Sequence, residues 1–458
     1  MVCILIKNFN ELIAQGEGSV REKVLKIIEE GLAKANPKEA IKRAITVEKN
    51  LLIIGDRQYN LTGKLIIIGG GKAAGLMAEA VEESVGSKIF NGAIIIPRGS
   101  GQYRLKQIKV MEGEHPMPSV DNVKATKVML ELVSGLSRND LVICLISGGA
   151  SSLITLPVAT ISLDDLQHTT QLLLRSGASI EEINTVRKHL CAIKGGQLAK
   201  AVYPAELIGL IISDVVGDPM DVIASGPTVP DASTFMDSIE ILQRYNLWDS
   251  IPETVCSRLN AGVKGEIPET PKPGDKIFDH VYNRIVASNS DSLDAMYDKA
   301  NELSLNSLIL TRYMEGEARH VGRFVSSIIR EIYYHNNPIK KPAAIIAGGE
   351  TTVTVTGDGK GGRNQELVLG AALCMRGLKG VAIASIGSDG IDGVCDAAGA
   401  IADGQTLTRA KDYGMNPYRY LKNNDSYTFF KTLGDCIFTG RTNTNVNDFT
   451  VAIVTDLE

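Results

Sequence analysis

Short runs of consecutive apolar residues recur along the chain at residues 65–68 (LIII), 93–96 (AIII), 141–146 (LVICLI) and 207–213 (LIGLIIS), with helical stretches between them. Unbroken apolar runs of this length suit strands covered on both faces, whereas a half-exposed strand alternates apolar with polar. The alternation of such runs with helices is the βαβ pattern of an open parallel sheet. Ahead of it, Ser19 and Glu22 stand at capping-box spacing, with Val20, Val24, Ile27 and Ile28 following at helical intervals. Asn36-Pro37 predicts the start of a second helix with proline in its first turn. The stretch 265–275, GEIPETPKPGD, holds three prolines and two glycines and is the best boundary between domains. The pattern then restarts, with predicted strands at 285–287, 308–311, 343–347, 381–386, 436–439 and 450–454, a β-rich segment at 351–356, and helices from about Asp291 and over 364–375. An α/β chain of two domains, 1–270 and 271–458, with a cleft between them, is the expected architecture.

The run 65–68 leads into Gly69-Gly70-Gly71-Lys72-Ala73-Ala74-Gly75. Glycines there let the backbone turn sharply and approach a ligand closely. The helix predicted from Ala73 would aim its unpaired N–H groups at the same place, which favours an anion, and Lys72 adds a full charge. The motif is not a Walker A loop, because Ala73 follows the lysine and supplies no hydroxyl for magnesium. It also misses the dinucleotide fingerprint: the spacing is G-x-G-x-x-x-G, and residues 90–97, FNGAIIIP, lack the acid that would hold a ribose. Taken alone, the segment reads either as an anion loop or as a tight strand-to-helix turn with a solvated lysine.

A chain of 458 residues is too long for one ordinary core. Its 48 basic and 53 acidic residues give a net charge of −5 with no basic block, which argues against a duplex nucleic-acid surface or a polybasic membrane anchor. No apolar run reaches the length of a membrane span, and the start, MVCILIKNFN, lacks the basic region and cleavage site of a signal peptide. The seven cysteines (Cys3, Cys144, Cys191, Cys256, Cys374, Cys395, Cys436) form no C-x-x-C pair. Reduced thiols in a cytoplasmic protein without a zinc site are therefore expected, with Cys144 and Cys436 as core residues.

Ligands of open α/β sheets bind beyond the carboxyl ends of the strands, and five such ends are polar and glycine-rich. They carry Lys72; the nest Ser147-Gly148-Gly149-Ala150-Ser151-Ser152; Ser213-Asp214 with Asp218; Gly348-Gly349-Glu350; and Gly387-Ser388-Asp389-Gly390 with Asp392. A further loop, GDGKGG at 357–362, precedes Arg363 at a predicted helix start. A lone arginine is disfavoured at a positive helix end; an anion held between Arg363, the glycine amides and the helix terminus would resolve the conflict, and a hairpin with solvated charges is the alternative. Asp214, Glu350 and Asp389 could hold magnesium, accept a proton, or orient Lys72 or Arg363. Lysine, arginine, nested glycines and carboxylates together are the parts of phosphoryl transfer. The basic stretch Arg187-Lys188-His189 with Lys194 reads equally as a site for a substrate carboxylate or as a solvated face. His115, in GEHPMPS, is expected to be structural. Ser151 lacks the G-x-S-x-G context of a hydrolase nucleophile.

In this order, GGGKAAG, GEHPMPS, SGGASSL, NTVRKHLCAIKGG, SDVVGDP with IASGPTVPD, AGGETTVTVTGDGKGGRNQE, GSDGIDG and TNTNVND resemble the glycerate 2-kinase family over about residues 65–457. The resemblance implies a Rossmann-like N-terminal domain and a smaller MOFRL-type C-terminal domain with the active site in the cleft. It implies ATP-dependent phosphorylation of D-glycerate to 2-phosphoglycerate with Mg2+ or another divalent cation. Carried over by motif, Lys72 and Arg363 are the main catalytic cations, with Asp214, Glu350, Asp389 and Asn445 completing the site. Gly69, Gly70, Gly71, Ser147, Gly148, Gly149, Ser151 and Ser152 would lie near the ATP phosphates, and Asp214 and Asp389 would hold the metal. The chain departs from the family's T-G-P-T-G-T-N-V-N-D in having Arg441 for proline and Asn443 for glycine. A hydroxypyruvate reductase and a non-catalytic two-domain sensor of sugar acids or nucleotides are the rival readings. The expected partners are small molecules, with a homodimer possible.

Overall fold

The computed structural model describes residues 5–455, so Cys3 lies outside it. The chain divides into two compact units, Pro37–Val286 and Met1–Asn36 with Ala287–Glu458. This division differs from the expected break at 270. The segment 265–275 is indeed a loop, but the strand after it completes the first sheet, so the prolines mark a connection within that unit.

In the unit Pro37–Val286, β1 (Ile45–Glu48), β2 (Leu51–Ile54) and β3 (Arg57–Asn60) form a small antiparallel sheet that the apolar pattern did not predict. The main sheet comprises β4 (Leu65–Gly70), β5 (Ile89–Pro97), β6 (Ile108–Gly113), β7 (Leu141–Ile146), β8 (Glu206–Ile212) and β9 (Val281–Ala287). Its order is β6-β5-β4-β7-β8-β9, and β6 to β8 pair in parallel. Renumbered from β4, this is the 3-2-1-4-5-6 order of doubly wound nucleotide-binding sheets, whose order reverses between β4 and β7. Ile66, Ile68, Val142, Cys144 and Ile146 join Ala125 and Met129 of the helix Val120–Leu132 in one core, which explains why these strands carry no polar positions. A second cluster gathers four helices, Leu163–Ser176, Ile180–Leu190, Phe235–Arg244 and Glu253–Val263, around Leu173, Leu190, Phe235 and Leu259.

The other unit carries a mixed six-stranded sheet. It is built from β10 (Asn306–Met314), β11 (Ala343–Gly349), β12 (Val381–Gly387), β13 (Gly399–Asp403), β14 (Cys436–Ile437) and β15 (Asp448–Val454), in the order β10-β11-β15-β12-β13-β14. β10 and β11 are parallel, whereas β15 runs antiparallel to both β11 and β12. Thus β11 and β12 point the same way, and the start of β15 lies between their carboxyl ends. The segment 351–356 is not a strand: Thr352 makes a single bridge to Glu317, and Val355 is exposed. Its alternating pattern finds no neighbouring strand to extend the pairing.

The first long helix, Gly18–Lys34, also differs from expectation. Ser19 lies inside it, and no side chain of the capping residue closes its start. Instead, Asp403 accepts from Glu17 N at 3.0 Å and from Arg21 Nε at 2.6 Å, while Arg21 Nη1 donates to Asp435 at 2.7 Å. Arg21 is fully buried. Arg21→Ala leaves two buried carboxylates short of a partner and is expected to cost about 3–5 kcal/mol of stability. Urea unfolding of purified wild type and variant measures this; coincident midpoints would show that the network contributes nothing.

Candidate active site

Because β4, β7 and β8 are adjacent and parallel, the three loops that leave their carboxyl ends meet at one edge of the sheet. Backbone geometry interlocks them. Lys72 N donates to Gly148 O at 2.8 Å, Ser147 N to Gly70 O at 3.3 Å, and Ala73 N to Ser147 Oγ at 3.0 Å. Gly71 has φ of +135° and lies against Ser147, leaving no room for a Cβ. Gly148 lies against the Asp214 carboxylate, and a Cβ on Gly149 would be 2.9 Å from His115 Cδ2 and 3.6 Å from Lys72 Cγ. The structure therefore brings together Gly69, Gly70, Gly71, Lys72, Ser147, Gly148, Gly149 and Asp214, and adds His115.

Lys72 is half-buried and makes no ion pair among the described residues. It starts the turn into the helix Ala74–Val85, whose first N–H groups point back towards the loop. His115 is held below its usual range by burial and then by the Lys72 charge, so its imidazole stays neutral at pH 7. The helix expected after the second nest is only four residues long, Ala150–Leu153, and adds little dipole. Ser151 Oγ lies 3.0 Å from Ser225 Oγ, and Ser152 Oγ donates to Gly149 O, so these hydroxyls brace the loop.

Gly148→Ala should move the Asp214 carboxylate while leaving a permitted backbone conformation, since Gly148 is not at positive φ. A shift of about 1 Å in a reacting group can cost about 100-fold in rate. We expect kcat to fall on that scale with an almost unchanged Tm; full activity would remove Asp214 from the site.

The second unit assembles its own cluster by the reversed strand. The register pairs Gly349 and Gly387 with Asp448, the first residue of β15. Arg363, opening the helix Arg363–Met375, donates from Nε and Nη2 to the Asp448 carboxylate at 2.6 and 3.0 Å, and from Nη1 to Glu350 at 2.5 Å. Burial pushes the Asp448 carboxyl up to about 7 against the pull of Arg363, and the two acids hold the guanidinium above its usual range. Asp389, half-buried, closes its own turn by accepting from Ile391 N at 3.1 Å. A Cβ on Gly387 would be 3.3 Å from Asp389 Oδ1 and 3.5 Å from Asp448 Oδ1, so these acids flank one point. Asn445 accepts from Asn447 N at 3.1 Å and shapes the same loop. Asn443, where the family has glycine, takes φ of +57°, a conformation that asparagine tolerates best after glycine.

One expectation is corrected here, and one residue is added. In the 357–362 loop the glycine amides of Gly357 and Gly359 are taken by Asn424 and Asn423 O, so they do not join Arg363 in an anion cradle. Asp358 N and Lys360 N donate to Asn423 and Asp425. The helix-start amides of Asn364 and Gln365 are likewise taken by the buried Asp392. The Asp448 and Glu350 carboxylates balance the charge of Arg363 at a positive helix end. Asp448 was missed because an acid at the start of a strand looked like the end of a loop. Its signal was the position of TNTNVND directly before the apolar run 449–454.

Among the described residues, no three His, Cys, Asp or Glu side chains group as a metal site. The donor set therefore offers no all-protein cage of the kind zinc or calcium uses. It is compatible with Mg2+, which binds through one or two carboxylates and otherwise through water and substrate phosphates. None of the helices among the described residues is long and apolar enough to cross a membrane.

Residues 23–260 match a family described as a domain of unknown function (DUF4147), and residues 343–448 match the MOFRL family. A D-glycerate 2-kinase from Thermotoga maritima is 41% identical over 95% of this chain and 99% of its own length. A protein from Agrobacterium vitis named putative hydroxypyruvate reductase is 39% identical over 95% of both chains. The crystal structure of a glycerate kinase from Thermotoga maritima superposes with a TM-score of 0.87 at 41% identity, covering 95% of this chain and 100% of that one. With a relative this similar over nearly the full length of both chains, and the same fold throughout, the chain belongs to the glycerate 2-kinase family.

Proposed function

We propose that this protein transfers the γ-phosphoryl group of ATP to the 2-hydroxyl of D-glycerate, giving 2-phosphoglycerate and ADP. The observation that carries the reading is Lys72, without an ion pair among the described residues, in a glycine loop at the point where the sheet reverses its order between β4 and β7, the place where such sheets bind nucleotides. Membership of the family supplies the acceptor. Gly71, Gly148 and Gly149 let the Lys72 loop pack closely against Ser147, Asp214 and His115, and Ser147, Ser151 and Ser152 keep that loop in shape.

In the transfer, the acceptor oxygen forms the new bond to phosphorus as the bond to the bridging oxygen of ADP breaks, the electron pair leaves with ADP, and the hydroxyl proton passes to solvent. Lys72 neutralises charge on the moving group, and Arg363, aimed by Asp448 and Glu350, supplies the second cation. Asn445 keeps the loop beside Asp389 in register. When Mg2+ is bound with the nucleotide, it neutralises phosphate charge; Asp214 and Asp389 are the carboxylates we assign to it.

An assay of ATP consumption with D-glycerate and Mg2+, with the phosphate position read by phosphorus NMR, tests the reading. Glycerate-dependent ADP release and a 2-phosphate product are expected. Oxidation of NADH by hydroxypyruvate, without glycerate-dependent ADP release, would establish the reductase instead.

A further inference from the structure

The basic stretch after residue 184 separates, in the structure, into residues that are neutralised and residues that are not. Lys188 lies 3.4 Å from the buried Asp231, and His189 Nε2 lies 3.1 Å from Glu269. Arg187 and Lys194 have no such partner. Arg187 Nη2 donates to Ser151 O at 3.0 Å, and Lys194 Nζ donates to the same oxygen at 2.5 Å and to Ile154 O at 3.1 Å. Among the described residues no carboxylate acts on either cation. Burial holds the Arg187 guanidinium below its usual range, and burial, with the charge of Arg187 next to it, pushes Lys194 down to about 7.

A cation buried without an anion costs several kcal/mol; Lys194 can shed that cost by losing its proton, whereas a guanidinium cannot, so the arrangement is incomplete at Arg187. Lys194 is 1% exposed and closed off, but Arg187 keeps part of its surface open. The loop beside it is built rather than incidental. Ser151 Oγ meets Ser225 Oγ, which donates to Asn184 Oδ1 at 2.9 Å, and both Ala224 and Ser225 hold left-handed φ angles of +54° and +61° that non-glycine residues seldom adopt.

We propose that Arg187 binds the carboxylate of the acceptor acid, with Lys194 as a positioning residue that fixes the Ser151 carbonyl and adds charge from behind. The assignment rests on the kinase reading and deepens it. A guanidinium offers two parallel donors that match a carboxylate. Distance also favours the acceptor: Gly149 lies beside Lys72, and Ser151 is two residues on, within about 7 Å along the chain. In a 2-hydroxy acid, the carboxylate is bonded to the carbon that bears the reacting hydroxyl. A carboxylate on Arg187 thus leaves that hydroxyl near the phosphoryl group at Lys72.

The test compares wild type, Arg187→Ala and Arg187→Lys in steady-state kinetics, with D-glycerate binding measured by calorimetry without nucleotide. Arg187→Ala should raise KM for D-glycerate about 100-fold, leave KM for ATP nearly unchanged, and remove the preference for D-glycerate over glycerol, which lacks the carboxylate. Arg187→Lys should raise KM for D-glycerate by less, because it keeps the charge and loses the fork; it carries the test alone if circular dichroism shows the alanine variant misfolded. A rise in KM for ATP instead would assign Arg187 to a nucleotide phosphate and overturn the proposal. Unchanged values for both substrates would make the cluster purely structural. If wild type shows no glycerate-dependent ATP consumption, the kinase reading fails. Calorimetry then still decides the carboxylate site: D-glycerate binding that is lost in Arg187→Ala upholds it, and equal binding or none to either protein overturns it.

Discussion

Arg363→Ala is expected to lower kcat at least about 1,000-fold, the scale on which a transition-state arginine contributes to phosphoryl transfer, with the fold intact. Half-buried Arg363 sits at a helix start whose amides are already capped by Asp392, so the helix does not depend on it. What does depend on it is the pairing with Asp448 and Glu350, which fixes the guanidinium plane. Arg363→Lys should recover little, because a single ammonium cannot span two carboxylates with the same geometry. The same pairing gives a pH dependence. Asp448, pushed up to about 7, is ionised above that pH and takes a proton below it. The grip on Arg363 should loosen as pH falls through about 7, with kcat falling alongside, and Asp448→Asn should be slow throughout and lack this limb. Near-normal kcat in Arg363→Ala would remove the arginine from the chemistry, leaving it a structural role.

Lys72→Ala is expected to lower kcat by about 100- to 1,000-fold, as for loss of one preorganised donor to a developing charge. Its side chain forms no ion pair among the described residues, so its removal breaks no internal pairing. Thermal unfolding should show an unchanged or slightly raised Tm, which separates a catalytic from a structural defect. Removal of the Lys72 charge also relieves His115, whose pKa should rise towards its ordinary value, an effect visible by proton NMR without any turnover. If Lys72→Ala keeps its kcat and raises only KM for ATP, the lysine binds ground-state phosphate and does not stabilise the transition state.

Much of this was legible in one dimension. The apolar runs placed β4, β7, β8, β11 and β12 closely, because strands covered on both faces carry few polar residues, and those, like Ser385, are hydrogen-bonded. The polar, glycine-rich segments that follow them were readable as ligand loops for the same reason: a chain leaving a buried strand must turn at the sheet edge. Residues such as Lys72, Asp214, Glu350, Arg363 and Asp389 could therefore be picked out, though not which of them touch. The three-stranded sheet of β1, β2 and β3 escaped notice, since β2 is an apolar run, LLII, but its neighbours β1 and β3 are short, largely uncovered and carry polar residues.

Direction and distant pairing were decided elsewhere. A strand has the same apolar pattern whichever way it runs, so nothing in residues 448–454 told that β15 is antiparallel to its neighbours and brings Asp448 to the ends of β11 and β12. Charge likewise does not reveal its partner: Arg187, Lys188 and His189 are consecutive letters, and only packing gave two of them acids and left the third without one. The sequence by itself determined the buried strands, the loops that leave them and the family, because burial and turning are local demands on residue type. The tertiary structure alone decided which carboxylate holds Arg363 and which cations remain unneutralised, because those depend on residues brought close from far along the chain.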